Sequence, residues 1–77
     1  MIDFESNILA VQITLDAHEV KVIANMYREA AEADLDAGYK NSAEAEFRKA
    51  AWFYRAVGET WYAERMDRNA ERALAEE

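Results

Sequence analysis

Apolar and small residues recur at helical spacing in two stretches of the chain, and a polar segment containing a glycine separates them. The first stretch begins at Asp16 and is rich in alanine and acids; its inward set is Val20, Ile23, Ala24, Tyr27, Ala30 and Ala31. The second carries Ala43, Phe47, Ala50, Tyr54, Val57 and Trp61 at alternating steps of four and three. Such steps place residues on one side of a helix, and a stripe of this kind needs another surface to cover it. The connection Ala37-Gly38-Tyr39-Lys40-Asn41-Ser42-Ala43 is short. The two stripes are therefore expected to close on each other as an antiparallel helical hairpin.

Upstream the period changes. Leu9, Val11, Ile13 and Leu15 alternate with Ala10, Gln12 and Thr14. Period two with β-branched residues predicts a strand over 8–15 with one buried face. A helix begun at Ser6 competes with it, but its faces are interrupted by Gln12 and Glu19. Ile2 and Phe4 also alternate, which makes Ser6-Asn7 a candidate hairpin turn. Asp16 followed by Glu19 is a variant capping box and should start the first helix, over 16–37. Gly38 suits the left-handed position just past that helix, and Asn41 or Ser42 can cap the next one.

The second helix is expected over 42–76. Gly58-Glu59-Thr60 could break it, with Thr60 capping a third helix; alternatively it tolerates one glycine at a cost of about 1 kcal/mol. The face Tyr54, Gly58, Tyr62, Met66, Asn69 and Ala73 passes through the glycine in register, and no proline enforces a stop. Continuity is the favoured reading. The fold class is thus mainly α: one small domain over 1–77, an N-terminal β-strand followed by an antiparallel helical hairpin with a long second helix.

Composition narrows the function more than the fold. The 77 residues hold no cysteine, no proline and one histidine. Disulfide staples and thiolate chemistry are excluded, and a zinc site has too few ligands. A chain this short buries only about 60–65% of the surface its unfolded form exposes. Self-association is the usual remaining support, so a homodimer at micromolar concentration is expected, with the lone strand pairing with its twin. No apolar run approaches the length of a membrane span, and the acids near Met1 are unlike a signal peptide. These features read as a soluble, cytoplasmic protein.

The net charge of −7 is unevenly spread. Residues 16–38 carry −4 and residues 39–58 carry +2, which favours pairing of the two helices. An acidic surface disfavours nucleic acid, whose binding relies on neutralising phosphates. Glu32, Asp34 and Asp36 crowd the end of the first helix, where the dipole disfavours acids. They read as a solvated face offset by Arg48 or Lys49, with an acidic docking patch as the sharper alternative. A calcium loop from Asp34 fails, since Tyr39 and Ala45 stand where glycine and glutamate are required.

Trp52-Phe53-Tyr54 is the densest aromatic run, and its side chains point about 100° apart on a helix. Tyr54 belongs to the stripe, so Trp52 and Phe53 must face the strand, another subunit or solvent. Trp61 and Tyr62 pose the same question. Arg48, Arg55 and Arg65 lie nearby, and Trp, Tyr and Arg dominate interface energetics. Trp52, Phe53, Trp61, Tyr62 and Arg55, with the acids Glu32, Asp34 and Asp36, are the candidate interaction residues. No nucleophile–base pair, phosphate-cradling loop or metal-ligand spacing appears, and His18 reads as a solvated first-turn residue. The chain is not expected to be an enzyme, and no cofactor is implied.

Residues 24–57 resemble one tetratricopeptide-type helix–turn–helix unit. Tyr27 and Ala31 match the aromatic and small positions of its first helix, Gly38 its turn, and Ala43, Phe47 and Ala50 its second helix. The chain departs from that pattern at Ala30, Asp34 and Arg55, where Leu, Tyr and Pro are usual, and residues 58–77 do not repeat it. The resemblance implies a peptide-binding or scaffolding role. The start of the chain is also similar to ribbon–helix–helix DNA-binding proteins, with Gln12 and Thr14 as outward strand residues, although residues 1–20 lack Lys and Arg. In general character the chain looks like accessory proteins of phage or mobile elements. The expected function is non-catalytic protein–protein interaction with an unidentified protein, such as inhibition of a basic surface. The alternative is a dimeric transcriptional regulator using a paired N-terminal strand.

Overall fold

The computed structural model describes residues 16–75, which form three α-helices: α1 (Ala17–Asp36), α2 (Lys40–Ala56) and α3 (Thr60–Ala75). This corrects the expected strand-plus-hairpin fold. Among the described residues there is no strand, and the segment 8–15 lies outside them. The long second helix is two helices, broken at Gly58.

Both breaks are built the same way. At the end of α1 the Gly38 amide bonds the Leu35 carbonyl at 3.1 Å and the Tyr39 amide bonds the Asp34 carbonyl at 2.8 Å. At the end of α2 the Gly58 amide bonds the Arg55 carbonyl at 3.1 Å and the Glu59 amide bonds the Tyr54 carbonyl at 2.9 Å. This pair of reversed bonds satisfies the orphan carbonyls of a helix end and needs a residue in the left-handed region. Gly38 at φ 90° and Gly58 at φ 79° supply it. The two turns sit twenty residues apart, and the buried alanines follow the same offset: Ala31 and Ala51, Ala43 and Ala63, Ala50 and Ala70.

The helix starts differ from expectation in part. Asp16 caps α1, its carboxylate accepting from the Glu19 amide at 2.8 Å. Neither Asn41 nor Ser42 caps α2, which starts at Lys40 after Tyr39 and has no side-chain cap bond. Thr60 is the first residue of α3 and not its cap; the Glu59 carbonyl takes the Ala63 amide at 3.0 Å.

Among the described residues the core holds Phe47, Tyr54 and Met66 embedded among eight alanines: 24, 31, 43, 50, 51, 63, 70 and 73. Small residues let the helix axes approach closely. The central helix α2 packs against α1 on one flank and α3 on the other. Of the inward set expected for the first helix, Ala24 and Ala31 are buried, Val20, Ile23 and Tyr27 are half-buried, and Ala30 is exposed. In the second set Ala43, Phe47, Ala50 and Tyr54 are buried, but Trp61 is turned outward by the break at Gly58.

Candidate functional site

The break at Gly58 sorts the aromatic residues into matched inner and outer members. Tyr54 is fully buried. Phe53 is half-buried and stacks on Tyr27 of α1, with centroids 5.6 Å apart and planes 10° from parallel. Trp52, 50% exposed, meets Phe53 edge-on at 4.9 Å. On α3 the arrangement recurs: Tyr62 stacks on Tyr54 at 5.3 Å, and Trp61, 58% exposed, meets Tyr62 edge-on at 4.9 Å. Each exposed indole is therefore braced by a ring anchored in a helix seam. Edge-to-face aromatic pairs add about 0.5–1.5 kcal/mol beyond burial. Bracing also reduces the rotamer freedom left to lose on binding.

Arginines accompany both indoles. Arg48, Trp52 and Arg55 follow one another at steps of four and three, so they share the exposed side of α2. The Arg55 guanidinium donates to Asp67 of α3 at 2.9 Å, and Arg48 bonds Glu44 and lies 3.9 Å from Asp67. Exposed pairs of this kind are worth about 0–1 kcal/mol, so their effect is to orient the arginines. The Arg65 guanidinium sits 5.4 Å from the centre of the Trp61 ring. The expected grouping thus divides into a Trp52–Arg55 surface on α2 and a Trp61–Arg65 surface on α3.

The expected acidic patch does not act as a unit. Glu32 and Asp36 are exposed, whereas Asp34 is half-buried and its carboxyl meets that of Glu46 on α2. Among the described residues neither cation forms an ion pair with these acids: Arg48 pairs with Glu44 and Asp67, and Lys49 lies over the Tyr27 ring at 5.6 Å. Glu46 is half-buried beside Ile23, Met26, Tyr27 and Ala30 at the rim of a shallow apolar depression. The hydrogen bond to Asp34 comes first among the effects that raise the Glu46 pKa, followed by desolvation and the Asp34 charge, with Lys49 opposing them. A carboxyl whose folded-state pKa is raised adds stability below its unfolded pKa and loses that contribution as pH rises through the folded value. Glu46→Gln should flatten the fall in melting temperature between mildly acidic and neutral pH. Parallel profiles for the two proteins would show that the carboxyl pair is not coupled.

One polar cluster was not recognised from the sequence. Lys21, Asn25 and Arg28 lie along one side of α1 at steps of four and three. Lys21 bonds Glu59 at 3.2 Å and sits 5.7 Å from the centre of the Tyr62 ring. The Tyr54 hydroxyl donates to Asn25 Oδ1. Burial raises the Tyr54 pKa above its ordinary value, and the Arg28 and Lys21 charges partly oppose it. Arg28 Nε is buried with no hydrogen-bond partner among the described residues. The spacing was legible, but a polar stripe is ordinarily a solvated one; here Tyr54 of α2 engages Asn25, and the chain's return at Glu59 and Tyr62 engages Lys21.

His18 is exposed, and no group of three or more His, Asp or Glu among the described residues is arranged to hold a metal ion. No helix there is long and apolar enough to cross a membrane. Compared with protein-family models, with curated proteins and with solved structures, the chain matches none.

Proposed function

We propose that this chain is a non-catalytic protein–protein interaction module that presents Trp52 as its anchor to another protein. The observation that carries this reading is a half-exposed indole, braced by Phe53 and standing between Arg48 and Arg55. A solvent-facing indole of no use in the core gains most of its binding energy when a partner desolvates it, and Trp with Arg are the commonest hot-spot residues. Asp67 holds the flanking Arg55 in place, so a partner meets a largely formed surface. The resemblance of residues 24–57 to a tetratricopeptide-type unit supports the same class of function.

Trp52→Ala tests the proposal. It should leave helical content near its original value, because the side chain lies outside the core. Proteins from the native host retained by the immobilised chain should be lost with the variant. Retention of the same proteins by both would remove the Trp52 surface from the account.

A further inference from the structure

We infer that residues 1–15 of the chain return from Asp16 along α1 and cover the shallow apolar depression between α1 and α2. The depression lies on the flank of α1 turned away from α3. The other flank carries Lys21 and Asn25, which Glu59, Tyr62 and the Tyr54 hydroxyl engage. On the depression side α1 contributes Ile23, Met26, Tyr27 and Ala30, and α2 contributes Glu46. The four residues of α1 follow one another at steps of three, one and three, which places them on one apolar face. Only part of that face is occupied. Tyr27 stacks on Phe53, whereas Ala30 is exposed and Met26 is 62% exposed. Among the described residues α2 is the one helix packed extensively on α1, and it leaves this face open.

Length, attachment and composition favour this occupant. The segment joins α1 at its cap, Asp16, where the backbone is extended. Ile23 stands seven residues beyond the cap and Ala30 fourteen, which is about 10 Å and 21 Å along the helix at 1.5 Å per residue. Fifteen residues span about 22 Å as a helix and up to about 50 Å when extended, so either form reaches the whole depression. Seven of the fifteen are Ile, Leu, Val or Phe, and none is Lys or Arg. Such a stretch and an uncovered apolar face each expose surface to water, and laying one on the other removes both. The short tether holds the segment beside the face at an effective concentration of about millimolar, so it outcompetes a second copy at micromolar concentration. Tyr27 belongs both to the depression and, through Phe53, to the row of rings that braces Trp52. Trp52 does not line the depression, so the two contacts stand or fail separately.

Methyl NMR of the full chain tests this, with isotope in the methyl groups of its three methionines, Met1, Met26 and Met66. A paramagnetic tag on Ala10→Cys should remove most of the Met26 methyl intensity and far less of that of Met66, which is buried on α3. Ala30→Glu places a charge in the depression at an exposed helical position. Burying an unpaired charge is costly, so this variant should restore the Met26 signal while circular dichroism stays native. Tagged chain without isotope, mixed with untagged isotope-labelled chain, should leave Met26 unaffected. No selective loss at Met26, or a loss that persists in Ala30→Glu, would overturn the contact. Loss in the mixed sample would also overturn it and would give the face to a second copy.

Discussion

Phe47→Ala is expected to cost about 3–5 kcal/mol, the range for removing a large buried ring. The ring is 2% exposed on the central helix, and among the described residues eight of the eleven buried core residues are alanine. Three side chains therefore fill most of the space that alanines leave, and the loss of one cannot be absorbed by small, inflexible neighbours. A domain of this size has a total stability of only about 4–12 kcal/mol. The substitution should consequently lower the urea midpoint severely while the slope of the transition stays constant. A loss below about 1 kcal/mol would place the ring at the margin of the core.

Met66→Ala is the second large effect, expected at about 2–5 kcal/mol. Met66 is also 2% exposed and is the one large fully buried side chain of α3. Its loss tests whether α3 is an integral third helix or an appendage. An integral helix predicts one cooperative transition, shifted for the whole molecule. A peripheral α3 would leave the midpoint of α1 and α2 unchanged and produce a separate early transition in helical content.

The sequence made the first two helices legible because their inner sides alternate steps of three and four, through Ala24, Tyr27 and Ala31 on α1 and Phe47, Ala50 and Tyr54 on α2. Asp16 and Gly38 carried their boundary chemistry openly. Gly58 was harder for a physical reason. The face Tyr54, Tyr62, Met66, Asn69, Ala73 stays in register whether the helix continues or folds back, because a returning helix buries the same stripe against the same core. Met66 and Ala73 are indeed buried and Tyr62 and Asn69 half-buried, although the helix is broken. Only the turn chemistry distinguishes the two, and it matches that of Gly38 bond for bond. The consequences for the surface were large: Trp61 left the stripe, and Arg65, Arg68 and Arg72 fell on the exposed side of α3. Those charges were visible in the chain, but which side of each helix they occupy depends on where the core lies. Composition likewise showed Trp52, Phe53, Trp61 and Tyr62 as candidates without saying that one of each pair is inside and the other outside.

The return of α3 at Gly58 underlies the Trp61–Tyr62–Tyr54 ring stack and the contact of Lys21 on α1 with Glu59 and the Tyr62 ring. Because the chain has no cysteine, Asn41→Cys with Glu71→Cys gives two unambiguous sites for spin labels on exposed positions. A helix running unbroken between them would hold the labels about 45 Å apart, at 1.5 Å per residue. Adjacent antiparallel helices have axes about 8–10 Å apart, which puts labels at facing ends within about 20 Å including their linkers. A dipolar distance distribution centred near the short value, with the labelled chain diluted into unlabelled chain, is the result this fold predicts; a distribution centred near 45 Å would contradict it.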